Sequence, residues 1–269
     1  MIYYYHQKIS RAGRVRSAYS FGGITAQIFN NDCIVGMKAI PDESVDMILT
    51  DPPYGITNCK WDKILPLPPW WEQISRVIKP NGAVLMFSNQ PFTTVLISSS
   101  TLKYRYPWYW MKNNVTNFIN VKRMPLRKIE EIHVFSKRQC LYYPQGLVEN
   151  QKAKIKTTVK SSGVYREVNS SGKPYMAHQF MNYPVNILCF DNESNRFHPT
   201  QKPIQLLEYL IRTYTLESET VLDCCMGSGS TGVACAYTKR GFIGFETDEK
   251  YFNIAQNRIE TAEEHIGKQ

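Results

Sequence analysis

The chain lacks any apolar run of the roughly twenty residues needed to cross a bilayer, so no membrane role is expected. It also lacks the apolar core of a signal peptide. Met1-Ile2-Tyr3-Tyr4-Tyr5 runs directly into Lys8, Arg11, Arg14 and Arg16. Its seven cysteines include no C-x-x-C pair, and His6, His133, His178, His198 and His265 are scattered, so a metal centre is not expected. An odd number of unpaired thiols points to a reducing, cytoplasmic setting. No Gly-Lys-Ser/Thr closes a glycine-rich loop, which excludes a P-loop. One long segment lacks aspartate. Residues 101–180 hold fifteen Lys or Arg against four Glu, a local excess of +11 that leaves the remainder of the chain at −2. A basic middle third between nearly neutral flanks marks a polyanion-binding surface. The aromatic interleaving of Tyr104-Arg105-Tyr106-Pro107-Trp108-Tyr109-Trp110 favours nucleic acid over a merely solvated basic face.

What is present begins with Asp51-Pro52-Pro53-Tyr54, at the end of the apolar run Val45 to Thr50. A carboxylate beside two residues without backbone N–H groups, followed by an aromatic ring, suits neither a helix nor a continuing strand. It does suit a flat heterocycle with an exocyclic amine. Asp51 can accept one amino hydrogen, the Pro52 carbonyl the other, and Tyr54 offers a face for stacking.

A second signal lies far downstream. Thr220 to Cys225 reads as a short buried strand running into Met226-Gly227-Ser228-Gly229-Ser230-Thr231-Gly232 and then a helix. Gly227, Gly229 and Gly232 thus satisfy G-x-G-x-x-G in its strand–turn–helix setting. The next strand, Gly241 to Phe245, ends in Glu246, placed to accept from ribose hydroxyls. Charge selects the cofactor. Asp223 would repel a pyrophosphate at the glycines, which disfavours a nicotinamide oxidoreductase. It suits S-adenosylmethionine, which carries an ammonium and a sulfonium and no phosphate.

With both motifs in one chain, the sequence resembles the amino-group DNA methyltransferases of the permuted β-type, adenine-N6 group, in which the catalytic motif precedes the cofactor motif. His198-Pro199-Thr200-Gln201-Lys202-Pro203 resembles the family's segment before the glycine loop, and Asn31-Asp32-Cys33 its cofactor-adenine acid. The likeness covers residues 28–137 and 196–260. Cys224-Cys225-Met226 departs from the usual Pro/Phe-containing approach to the glycines. The resemblance implies Asp51, Pro52, Pro53 and Tyr54 as catalytic residues. It implies Asp32, Asp51, His198, Thr200, Lys202, Asp223, Gly227, Gly229 and Glu246 as the S-adenosylmethionine site, with no metal. It implies double-stranded DNA as partner, leaves a cognate restriction endonuclease and a monomer or homodimer open, and places the enzyme in a bacterial cytoplasm or on a phage or mobile element.

The fold expected is α/β, a Rossmann-like, doubly wound, mostly parallel sheet with an antiparallel edge strand, circularly permuted, plus a small target-recognition segment. The expected divisions are a basic arm over 1–22, a catalytic half over 23–140, a recognition segment over 141–195 and a cofactor half over 196–269. Strands are expected over 24–29, 45–50, 82–87, 105–111 and 131–135, with helices over 37–40, 69–78, 91–98 and 203–214. The last of these would offer its N-terminus, near Lys202, to the cofactor carboxylate. Trp61 is a candidate pocket wall. Asn113, Asn114, Asn117, Arg123, Gln179 and Asn182 have the chemistry to read bases. Asp rather than Ser at position 51 favours adenine N6 by resemblance. Cytosine-N4 methylation, protein glutamine methylation and a DNA-binding protein without catalysis are the alternatives.

Overall fold

The computed structural model describes residues 16–21, 24–57, 59, 62–152, 154–156, 175–177, 179–193, 197 and 201–266. The chain divides into two compact units, Met1–Tyr143 with Asn186–Gln269, and Pro144–Val185. In chain order the first unit opens with β1 (Arg16–Phe21), β2 (Ile24–Asn30), α1 (Cys33–Met37) and β3 (Val45–Thr50). It continues through α2 (Leu67–Val77), β4 (Ile78–Ser88), α3 (Phe92–Ser99), β5 (Lys103–Thr116) and β6 (Arg127–Ser136). The second unit holds two short antiparallel pairs among β7 (Val148–Glu149), β8 (Lys154–Lys156), β9 (Tyr175–Ala177) and β10 (Phe180–Met181). The first unit then resumes with β11 (Ile187–Cys189), α4 (Ile204–Tyr214), β12 (Thr220–Asp223), α5 (Ser230–Thr238), β13 (Gly241–Glu246) and α6 (Glu249–Ile266).

The nine strands of the first unit form one sheet in the order β1-β2-β13-β12-β3-β4-β6-β5-β11. From β2 to β4 all neighbours run parallel. β1 is an antiparallel edge strand at a place where none was expected. A second antiparallel strand, β6, lies inside the sheet between β4 and β5.

Strands buried on both faces need side chains that are apolar at every position, and β4 shows why this chain qualifies. Ala83, Leu85 and Phe87 point into one core layer, with Leu206, Leu210, Val233 and Ile259 of α4, α5 and α6. Val84 and Met86 point into the other, with Met37, Trp70, Ile74 and Leu96 of α1, α2 and α3. Helices on both faces of a mainly parallel sheet make this a doubly wound α/β domain.

Two expectations are corrected. Arg16–Phe21, read as part of an irregular arm, pairs along its whole length with β2. The first helix forms over Cys33–Met37 rather than 37–40, because Asp32 caps it four residues early, its Oδ1 accepting from Val35 N at 3.0 Å.

Candidate active site

β12 and β3 pair in parallel, Val221 with Met47 and Leu222 with Ile48. From this pair the chain leads to β13 on one side and β4 on the other, so strand order diverges here and a crevice opens beyond the carboxyl ends. Asp51-Pro52-Pro53-Tyr54 leaves β3 and Cys224 to Gly229 leaves β12. Both line one cavity of about 900 Å³, together with Asp32, Lys202 and Glu246. The residues expected at positions 32, 51–54, 202, 223, 227 and 246 thus converge. Gly229 lies in the same turn as Gly227, whereas His198, Thr200 and Trp61 lie outside the described residues.

The glycine turn requires left-handed backbone, with φ of +52° at Gly227 and +80° at Gly229. A Cβ at Gly229 would stand 2.8 Å from the Cβ of Ala255, so α6 packs directly on the turn. At Gly227 a Cβ would meet nothing within 4 Å. Gly227 N donates to Glu246 Oε2 at 2.9 Å and Asp248 N to Glu246 Oε1 at 2.8 Å, which fixes that carboxylate beside the turn. Burial pushes it above the usual carboxylate range.

Asp223 is 3% exposed. Its Oδ1 accepts from Thr50 Oγ1 at 2.9 Å and Cys225 N at 3.0 Å, and its Oδ2 from Thr231 Oγ1 at 2.6 Å. All three donors are neutral, and no cation pairs with it among the described residues. Burial therefore dominates and pushes its carboxyl up to about 6. A carboxylate so placed favours a cationic ligand.

In the loop after β3, Tyr54 O–H donates to Asp51 Oδ1 at 2.5 Å and lies 3.2 Å from Glu130 Oε1. Its ring stacks on Phe92 at 5.4 Å and 21°, so one of its two faces is already covered. Asp62 sets the shape of the loop beyond it by accepting from the N–H groups of Gly55, Ile56 and Thr57 at 2.7–2.9 Å. Burial pushes Asp62 up, but the Thr57 side chain and these three N–H groups outweigh it and hold the carboxyl below its usual range.

The structure gives Lys202 and the helix beside it partners that were not foreseen. The helix N-terminus beside it receives a protein carboxylate, with Ile204 N donating to Glu193 Oε1 at 3.0 Å. Lys202 itself reaches into the Asp51–Tyr54 loop. Its Nζ pairs with Asp51 Oδ2, lies 3.0 Å from Glu130 Oε1, and sits 4.8 Å over the Phe87 ring. Lys112 pairs with the other oxygen of Glu130. A nearly buried ammonium goes where two carboxylates offset its lost hydration, rather than waiting on a ligand. Burial raises Asp51 above its usual range against the opposing pull of Lys202. Burial would raise Glu130 as well, but Lys202 and Lys112 overcome it and hold it low.

Glu130, Lys112 and Asp62 were not singled out in the sequence. One signal existed for Glu130, since Glu130 and Glu131 are the only acids between positions 101 and 148. An acid isolated in a strongly basic segment has cause to be there.

The cavity's two halves differ in chemistry. Asp32, Asp223 and Glu246 face it around the open glycine turn, while the Asp51 cluster has its own cations. The residues around the turn fit a small ligand bearing positive charge and hydroxyl groups. They do not fit a polyphosphate. Fold and site together define an α/β enzyme of the nucleotide-cofactor class.

The family profile for DNA methylases (N6_N4_Mtase) matches residues 45–257, and the chain belongs to that family. It is similar to the DNA adenine methyltransferase YhdJ of Escherichia coli, with 27% identity over 265 residues covering 93% of this chain and 87% of that protein. It is also similar to the type II methyltransferase M.HpaI of Haemophilus parainfluenzae, 26% identical over 86% of this chain and 73% of the relative. Among solved structures, the M1.HpyAVI–SAM complex superposes with a TM-score of 0.60 at 25% identity, covering 86% of this chain and 98% of that one. The cytosine-N4-specific PvuII DNA methyltransferase gives 0.59 at 16% identity, a likeness of fold alone, over 90% and 93% of the two chains.

Proposed function

We propose that this chain transfers a methyl group from S-adenosylmethionine to the N6 nitrogen of an adenine extruded from double-stranded DNA. One observation carries the reading. Asp51 and Asp223, a carboxylate with its own cations and one with none among the described residues, stand at the ends of adjacent parallel strands in one cavity. The names of YhdJ and of the M1.HpyAVI–SAM complex support the adenine and the cofactor. Bound S-adenosylmethionine supplies an electrophilic methyl group on a sulfonium.

The rest is the work of the chain's residues. Asp223 and Glu246 would hold the cofactor's ammonium and hydroxyl groups and Asp32 its adenine, with its body over the open backbone of Gly227. Adenine's amino nitrogen is a weak nucleophile because its lone pair is delocalised into the ring. Asp51 and the Pro52 carbonyl would accept its two hydrogens and draw the nitrogen towards a tetrahedral shape, freeing that lone pair. Tyr54 and Lys202 each engage one oxygen of Asp51, leaving further lone pairs for the substrate. Fixing both reactants in one rigid pocket supplies alignment, the main requirement of a direct displacement. The uncovered face of Tyr54 is available for stacking the flipped base.

Two features of the chain support the finer assignment to the permuted β-type. β3 precedes β12 in sequence although they are neighbours in the sheet, and the unit Pro144–Val185 falls between them. That unit carries Lys152, Lys154 and Lys156 and serves in this reading as part of the target-recognition segment.

The test is to incubate the purified protein with S-adenosylmethionine and a panel of unmethylated DNAs, digest to nucleosides and analyse by mass spectrometry. N6-methyldeoxyadenosine is expected. N4-methyldeoxycytidine would overturn the base assignment, and DNA binding without any methylated nucleoside would overturn catalysis.

A further inference from the structure

The connection from β5 to β6 inverts the usual relation between polar and apolar groups. Asn117 takes a left-handed φ of 75° and starts a single 3-10 turn over Phe118–Asn120. The polar groups of this turn bond to one another. Asn120 Nδ2 donates to Asn117 Oδ1 at 2.8 Å, and the N–H groups of Arg123 and Met124 donate to Asn120 O at 2.8 and 3.0 Å. The apolar side chains instead face water, with Ile119 99% exposed, Phe118 63% and Val121 55%. A turn this well bonded presents those side chains from a defined backbone, and clustered exposed apolar groups mark a binding surface.

The surroundings say what that surface meets. Lys122, Arg123, Arg127 and Lys128 flank the tip, all exposed, and none makes an ion pair among the described residues. From Lys112 to Lys128 the chain has five cations and no acid. Asn117, Asn120 and Arg127 also line the cavity that holds Asp51, so the tip adjoins the place where a flipped base would sit. The Asn117 amide nitrogen is buried there with no partner among the described residues.

We propose that this tip is a wedge that enters the DNA base stack and fills the space vacated by the target adenine. Ile119 and Phe118 lie among the bases, and the four cations lie on the flanking phosphates. An apolar point between cations matches a duplex, whose apolar stack lies between two rows of negative charge. The inference rests on the DNA substrate proposed above. It adds the element that keeps the duplex open while Asp51 holds the extruded base.

The experiment uses oligonucleotide duplexes carrying the site that modified-base sequencing identifies. In one the target adenine is paired; in the other it faces an abasic position and needs no unpairing. Ile119→Ser changes a fully exposed side chain and leaves the fold unperturbed. It is expected to lower kcat/KM on the paired duplex by roughly tenfold or more, and on the unpaired one by roughly threefold or less. With 2-aminopurine at the target position, the fluorescence rise on binding should appear with the wild-type protein and shrink with the variant. Equal losses on both duplexes, or no loss on either, would overturn the wedge. A wild-type protein that methylates neither duplex would instead remove the DNA-methylation reading beneath it.

Discussion

Asp51 and Lys202 stand 151 positions apart in the chain and meet in a part-buried ion pair at the cavity wall. Glu130 shares the same ammonium at 3.0 Å and Lys112 closes the group, so two carboxylates and two cations balance one another. Lys202→Met would leave the buried Glu130 and the half-buried Asp51 facing the single charge of Lys112. A loss of about 3–5 kcal/mol is expected from breaking a buried pair on one side. The effect on pH dependence is more specific. Burial and Glu130 already raise Asp51, with Lys202 opposing them, so removing the lysine raises it further. Asp51 accepts N6–H only while ionised, and activity fails as pH falls through its pKa. The acidic limb of kcat should therefore move to higher pH in Lys202→Met and stay near the wild-type position in Lys202→Arg. Coincident profiles for Met and wild type would remove Lys202 from the mechanism.

Asp51→Asn keeps the shape and one acceptor oxygen but loses the charge that Lys202 and Tyr54 are arranged around. Methyl transfer should fall by roughly 100- to 1000-fold, the scale seen when one preorganised transition-state contact is lost. Titration calorimetry should find S-adenosylmethionine affinity within about threefold of wild type, because the cofactor's other proposed partners lie at or just beyond the ends of β2, β12 and β13. A comparable loss of cofactor affinity would place Asp51 in cofactor binding instead.

The parallel core was legible because β3 and β4 are apolar at successive positions, and a strand buried on both faces needs that pattern. Asp51 and Asp223 were legible because each stands at the carboxyl end of an apolar strand and precedes a turn. The placement of β6 inside the sheet was not. Its sequence fits any half-buried strand, and neighbour choice is made by long-range packing. Lys202 was singled out in the sequence, but its pairing with Asp51 and Glu130 was not foreseen. A motif gives a residue type and a spacing, but the direction of a long side chain depends on charges elsewhere in the chain, here Glu130 on β6. Asp62 was passed over because its work is to collect three backbone N–H groups, which no pattern of side chains records.

Asp223→Asn separates stability from binding. The folded protein holds the Asp223 proton up to about 6, against an ordinary carboxyl value of 3.8, so the native state binds the proton more tightly than the unfolded chain. Stability from this group therefore declines as pH rises from about 4 to about 6 and stays lower above that, a difference of about 3 kcal/mol. Removing the charge should raise the Tm of the unliganded protein at pH 8, while abolishing most of the Tm gain on adding S-adenosylmethionine. In the wild-type protein, cofactor affinity should weaken as pH falls below about 6, when the carboxylate is protonated, and the variant should lack that dependence. Thermal melts with and without cofactor at pH 5 and 8 check both halves. A variant that still gains the full cofactor shift would show that the charge of Asp223 serves the fold alone.

Gly227 and Gly229 give the sharpest test of where the cofactor lies, since both adopt left-handed backbone but only one is packed against protein. Alanine at either position costs about 1–2 kcal/mol for its conformation. At Gly229 the new methyl would also press on Ala255 Cβ at 2.8 Å and Cα at 2.9 Å, so the turn or α6 must move. Gly229→Ala should lower Tm by roughly 5 °C or more, by the usual conversion for a protein of this size, and cofactor binding should fall with it. At Gly227 the methyl meets no protein atom and projects into open space. Gly227→Ala should therefore lose roughly 4 °C or less, yet weaken S-adenosylmethionine binding by roughly tenfold or more, because ligand and methyl compete for the same volume. Wild-type affinity in Gly227→Ala, measured by calorimetry on a protein with a near-normal Tm, would move the cofactor away from the glycine turn.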